Sequence, residues 1–210
     1  MDLRNENNQA SIIGEVVSDF VFNHEIFGEK FYNLHVEVPR LSGVNDIIPL
    51  MVSERLIDVT QSYIGQYIAV SGQFRSYNKQ DEDKIRLILS LFVREIEFVD
   101  EIEENSKTNQ IFLDGYICKQ PVCRKTPLGR EIADLILAVN RPYGKSDYIP
   151  CISWGRNARY ASGFETGTRC RVWGRIQSRE YMKKIADDQL VKRFAYEVSV
   201  SKVEVLVDEE

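Results

Sequence analysis

The chain repeats itself at an offset of 101 residues, and this internal repeat constrains the fold more than any other feature of the sequence. Two similar units of about 100 residues each fit the usual size of a domain. We therefore predict two domains, residues 1–104 and 105–210, joined at a mostly acidic, polar segment. The match runs without a gap over residues 8–49 and resumes after one inserted residue, and its pairs include Asn8 and Asn109, Gly14 and Gly115, Gly28 and Gly129, Arg40 and Arg141, Gly43 and Gly144, Asp46 and Asp147, Gly65 and Gly167, and Gly72 and Gly174.

Each unit alternates apolar and polar residues with the period of a β-strand. The apolar faces are Tyr32, Leu34, Val36 and Val38 in the first unit and Ala133, Leu135, Leu137 and Val139 in the second. Long β-rich runs at 85–99 and 193–207 close the units. A short helix fits between the third and fourth strands, at 54–64 with Ser53 as N-cap and near 156–162. This order predicts an all-β protein of two tandem, five-stranded barrels of the oligonucleotide-binding (OB) type, each with one short helix. A β-sandwich is the alternative, but the position of the helix favours the barrel.

The net charge of −5 is unusual for a protein that would bind nucleic acid, but the charge is divided unevenly between the units. Residues 1–105 hold 9 Lys and Arg against 19 Asp and Glu, whereas residues 106–210 hold 18 against 13. The second unit can therefore attract phosphate while the acidic first unit does something else.

No catalytic or metal-binding pattern is present in the sequence. The spacing of Cys118, Cys123, Cys151 and Cys170 fits no zinc motif, so we expect reduced and mostly buried thiols and no metal. We find no phosphate-cradling glycine loop and no histidine-based nucleophile set, and we therefore expect neither an enzyme nor a cofactor. The sequence also has no apolar run of membrane length and no signal segment at its start, which predicts a cytoplasmic protein without membrane contact.

The second unit contains a series of sequence blocks at 109–117, Pro121, 126–129, 137–141, 147–156 and 172–179. In their order and spacing these blocks resemble the bacterial single-stranded DNA-binding protein family, and the resemblance covers nearly all of residues 108–206. In that family, aromatic side chains on the barrel surface stack on unpaired bases. The resemblance implies this role for Tyr143, Tyr148, Trp154 and Tyr181, with Arg141, Arg156, Arg171, Arg175, Arg179, Lys183 and Lys184 following the DNA backbone.

Elementary physics supports the same interpretation. Stacking on an aromatic ring is worth about 1–3 kcal/mol per base and tolerates any sequence, and arginines between aromatic residues add phosphate neutralisation and cation–π contact. Trp173 lies between Arg171 and Arg175 on the strand face opposite Cys170 and Val172, so it is a further candidate platform or a subunit contact.

The first unit departs from the pattern of the second. Where the second has Tyr143, Tyr148, Trp154 and Trp173, the first has Ser42, Ile47, Ser53 and Ser71. We therefore predict a degenerate first barrel that serves assembly or steers the strand. The sequence also ends almost directly after the last predicted strand, without the flexible tail of the family, so we expect no recruitment of partners by that route.

The leading functional prediction is sequence-tolerant binding of single-stranded DNA in replication, recombination or repair. Two alternatives stay open: an OB module of the primosome type that acts mainly through protein contacts, and an RNA-binding OB protein. The family commonly uses four barrels together, so two per chain imply a homodimer, with replication or repair proteins as possible partners.

Overall fold

The computed structural model describes residues 7–81, 84–103, 106–186 and 189–206. Twelve strands and one short α-helix cover most of this part of the chain. Their bounds are β1 (Asn8–Val16), β2 (Val21–Ile26), β3 (Glu29–Pro39), β4 (Asn45–Ser53), β5 (Tyr67–Asp81), β6 (Lys84–Val99), β7 (Asn109–Ile117), β8 (Val122–Lys125), β9 (Glu131–Asn140), β10 (Ser146–Trp154), α1 (Arg156–Ala161), β11 (Arg169–Ala186) and β12 (Gln189–Val205).

Each half of the chain closes into a barrel of five strands. In the first half, β1 pairs with both β3 and β5, β3 pairs with β4, β4 pairs in parallel with β6, and β6 pairs with β5. The second half repeats this closure with β7, β9, β10, β12 and β11. The prediction of two tandem five-stranded OB barrels is confirmed, and each barrel carries one additional short strand, β2 or β8, at the edge of its third strand.

The two barrels join through an antiparallel ladder between β1 and β7. Ala10 pairs with Ile111, which is its own counterpart in the repeat, so a local two-fold axis passes through this pair. The side-chain amide of Asn8 bonds the backbone of Phe74 at 2.7 and 2.9 Å. Asn109 bonds Ile176 at 2.7 and 2.8 Å in the same way. The repeated asparagines therefore fix equivalent strands in both barrels.

The predicted alternation of strand faces is confirmed. Leu34, Val36 and Val38 point into the first barrel and are buried, as Leu135, Leu137 and Val139 are in the second. The repeated glycines at 72 and 174 lie at a bulge in each barrel. A Cβ at either position would lie 2.1 Å from a backbone oxygen of the neighbouring strand, so only glycine fits there.

The predicted helices have different outcomes. Helix α1 confirms the one expected near 156–162. The helix expected at 54–64 is wrong, because this segment forms successive turns. The Asp58 carboxylate accepts the backbone N–H of Thr60 at 3.0 Å and its hydroxyl at 2.6 Å, and the Ser53 hydroxyl accepts the backbone N–H of Arg55 at 3.2 Å. These local bonds favour turns over a helix. Within the described residues, no helix is long and apolar enough to cross a membrane.

Candidate nucleic-acid interface

Tyr148 and Trp154 lie on the outer face of β10, with Pro150 and Ile152 between them on that face. Their cross-strand neighbours on β9 are Ala138 and Ile132. As whole residues, Tyr148 is 44% exposed and Trp154 is 37% exposed. Six residues of strand separate them by about 20 Å, at about 3.3 Å per residue. The two rings can therefore serve two different bases on one sheet face.

Tyr143 occupies the turn between β9 and β10 and is 99% exposed. Its φ of 66° lies in the left-handed region, which is uncommon for a residue other than glycine. The strained turn presents the whole ring to solvent beside β10.

The long hairpin of β11 and β12 carries the next group of predicted residues. Tyr181 pairs with Arg193 and is 39% exposed, and Arg179 is exposed two residues earlier on the same face. The strand also contains Lys183 and Lys184, but their side chains lie outside the described part of the structure. At Ser178 this hairpin contacts β4 of the first barrel, so Tyr181 extends from a strand that already touches the other barrel.

Trp173 lies on the outer face of β11, next to the ladder that joins the barrels. Its ring centroid is 5.2 Å from that of Phe112, and the ammonium of Lys202 lies 4.6 Å from the indole centroid. The indole lines an open groove of about 590 Å³ together with Gln73 and Gln110. It is half-buried, so its face is partly occupied by its own neighbours.

Arginines of β11 lie across from polar and aromatic residues of β7 beyond Trp173. Arg171 and Arg169 share the carboxylate of Asp114 at 3.2 and 3.0 Å, and the Arg169 guanidinium lies 5.9 Å from the ring centroid of Tyr116. Ala138 of β9 pairs with Tyr116 of β7 on one side and with Tyr148 of β10 on the other. Sequence reasoning missed Tyr116 as a site residue, although the spacing of Phe112, Asp114 and Tyr116 indicates a shared outer face.

Arg141 and Arg175 lie at the junction of the barrels instead of on the open face. The Arg141 guanidinium is 3.0 Å from Asp147 and donates to the backbone oxygen of Ser76 in the first barrel at 3.2 Å. Arg175 reaches Asp46 of the first barrel at 3.3 Å. Burial, followed by the nearby Arg40, lowers the pKa of Arg175. Both arginines therefore contribute to barrel packing, whereas Arg156, the first residue of α1, is exposed.

The thiols differ in their surroundings. All four are free; Cys151 and Cys170 are buried, Cys118 is half-buried and Cys123 is exposed on β8. Burial raises the pKa of Cys170 to about 12. The expectation of mostly buried thiols is thus correct for two of the four. Among the described residues, no group of three His, Cys, Asp or Glu side chains could hold a metal ion.

The closed barrels and the exposed rings on β10 define an OB-fold protein with a candidate surface for nucleic acid. Residues 108–206, which form the second barrel, match the Single-strand binding protein family.

Two curated relatives and one solved structure illustrate the similarity. The chain is 33% identical to single-stranded DNA-binding protein A of Bacillus subtilis over 105 residues, which cover 47% of this chain and 59% of that protein. It is 36% identical to single-stranded DNA-binding protein 3 of Listeria innocua over 80 residues, 35% of this chain and 50% of that protein. The chain thus spans about half the length of the curated relatives it matches.

The wild-type single-stranded DNA binding protein from Thermus aquaticus is similar in fold over both barrels. It aligns with a TM-score of 0.72 and 22% identity, covering 97% of this chain and 94% of that one. This likeness extends the shared fold to the first barrel, which the family match does not reach.

Proposed function

We propose that this protein binds single-stranded DNA without strong sequence preference and covers it during replication, recombination or repair. The observation that carries the proposal is the pair of exposed rings, Tyr148 and Trp154, on one face of β10. Bases stack on such rings whatever their identity, and Arg156 and Arg179 supply exposed positive charge in the same barrel. The protein would act by binding, without catalysis, in the cytoplasm, where bacterial DNA lies.

The second barrel is the principal DNA-binding domain in this proposal, and the first is an assembly domain. Exposed aromatic platforms equivalent to Tyr148 and Trp154 are replaced by Ile47 and Ser53 in the first barrel. Its β2–β3 hairpin instead exposes apolar side chains, namely Val21, Phe22, Ile26 and Phe27. Such a patch favours protein contacts. We propose a homodimer with four barrels, and replication or repair proteins as further partners.

Direct competition tests the choice of nucleic acid. Fluorescently labelled oligo-dT is bound to the protein and displaced with unlabelled oligo-dT or oligo-U of the same length, followed by anisotropy. We expect oligo-dT to compete more strongly. Equal or better displacement by oligo-U would favour an RNA-binding protein, and no binding of either would favour a module that works through protein contacts.

A further inference from the structure

A small cleft between the barrels collects three arginines. Its volume is about 80 Å³, which corresponds to roughly two or three water molecules at about 30 Å³ each. Both barrels contribute to it, through Gln73, Arg75 and Arg94 from the first and Asn140, Arg141 and Asp147 from the second.

The cleft carries an excess of positive charge. Asp147 is the one carboxylate among its lining residues, against three guanidinium groups. Asp147 already accepts the backbone N–H of Ser76 at 2.6 Å, and Arg141 Nε, 3.0 Å from its other oxygen, lacks hydrogen-bond geometry. Burial lowers the pKa of Arg75, and the neighbouring Arg141 and Arg94 lower it further. An anion placed here would relieve this repulsion.

One of the three guanidinium groups, that of Arg75, is held in place without a bound anion. Arg75 donates to Gln73 at 2.8 and 3.2 Å, and its guanidinium lies 4.0 Å from the ring centroid of Phe92. Arg94 is exposed and makes no ion pair within the described ranges. The cleft therefore combines a fixed guanidinium with one that is free to close on a ligand.

The pseudo-symmetric junction provides an internal comparison. Val93 and Val200 are equivalent residues, since they lie opposite the repeated glycines at 72 and 174. The next residue is Arg94 in the first barrel and Ser201 in the second, so the arginine has no counterpart at the other junction. Arg40 and Arg175 both bind Asp46 at that junction. The excess of guanidinium groups over acceptors is thus greater on one side of the two-fold axis.

The cleft lies beside the turn that carries Tyr143, because Pro142 lines the cleft and directly precedes Tyr143. We infer that the cleft binds one phosphate of the DNA backbone, so that Arg75 and Arg94 of the acidic first barrel contribute to the path of the strand. This inference rests on the proposed function.

The salt dependence of oligo-dT binding tests it in the full-length protein. Each phosphate contact on a single strand adds about 0.7 to the steepness of log K against log salt. We expect Arg94→Gln to reduce the steepness by about 0.7 and Arg94→Lys to retain it. The matched control is Lys30→Gln, which removes one exposed charge from the β2–β3 hairpin of the same barrel and should leave the slope unchanged.

An unchanged slope in Arg94→Gln would overturn the inference while leaving the proposed function intact. An equal loss of slope in Lys30→Gln would also overturn it, since the effect would then reflect net charge.

Inorganic phosphate, followed by ³¹P NMR line width, identifies the ligand source. Phosphate binding that depends on Arg94, with no change in the oligo-dT slope, would mean a free-anion site and contradict the backbone contact. Wild-type protein that fails to bind oligo-dT would remove the proposed function and this inference together.

Discussion

The Asp147 carboxylate of the second barrel accepts the backbone N–H of Ser76 in the first barrel at 2.6 Å. The same contact exists across the two-fold axis, where Asp46 accepts the N–H of Ser178 at 2.7 Å. Each serine hydroxyl then accepts a second backbone N–H, from Tyr148 at 2.8 Å or its counterpart Ile47 at 3.0 Å. These reciprocal bonds fix the position of each long hairpin against the other barrel.

Removing this carboxylate should destabilise the fold strongly. Asp147→Ala leaves the Arg141 charge without its ion-pair partner and the Ser76 N–H without its acceptor, and breaking a buried pair costs about 3–5 kcal/mol. The free energy of unfolding in urea measures this loss. The control is Asp134→Ala, which breaks the exposed pair with Arg124 and should cost about 0–1 kcal/mol. Similar losses in both variants would contradict the structural role of Asp147.

The repeat supplies a matched pair of substitutions for the division of labour between barrels. Tyr148→Ala should weaken oligo-dT binding by about 1–3 kcal/mol, because it removes a stacking platform. Ile47→Ala changes the equivalent position of the first barrel, where no aromatic ring exists, and should leave affinity nearly unchanged. Fluorescence anisotropy at fixed salt measures both. If Ile47→Ala weakened binding as much as Tyr148→Ala, the base-binding face would not be confined to the second barrel.

Thiol reactivity follows the burial of the cysteines. With Ellman's reagent we expect Cys123 to react first in the native protein and the half-buried Cys118 more slowly. Cys151 and Cys170 should react only after unfolding, because burial raises the pKa of both and blocks access. Cys123→Ser should remove the fast phase. A fast phase that persists in this variant would contradict the placement of β8.

Assembly is measured by light scattering on a sizing column. The homodimer predicts twice the 24.3 kDa of one chain at micromolar concentration. The physical motive is that four linked barrels raise the effective concentration of each successive contact along one strand. A measured mass near that of one chain would show that the protein is a monomer and contradict the homodimer.

The sequence predicted the barrels better than the contacts between them. The repeat and the alternation of apolar residues determine the strands, because both depend on local order along the chain. The turns at 54–64 were not predicted, since Asp58 and Ser53 satisfy local backbone and side-chain partners that compete with a helix. The resemblance implies a DNA-backbone role for Arg141 and Arg175, and the sequence does not show that both also lie where the two barrels meet. Asp46 and Asp147 were visible as a repeated pair, but their acceptor role depends on tertiary contacts.

Tryptophan emission reports whether bases stack on the β10 face. In Trp173→Phe the one remaining tryptophan is Trp154, so any change in emission reports on that face alone. We predict strong quenching as oligo-dT saturates this variant, since stacked bases quench indole. If anisotropy shows that oligo-dT has saturated the protein while the emission of Trp154 stays unchanged, bases do not stack on the β10 face.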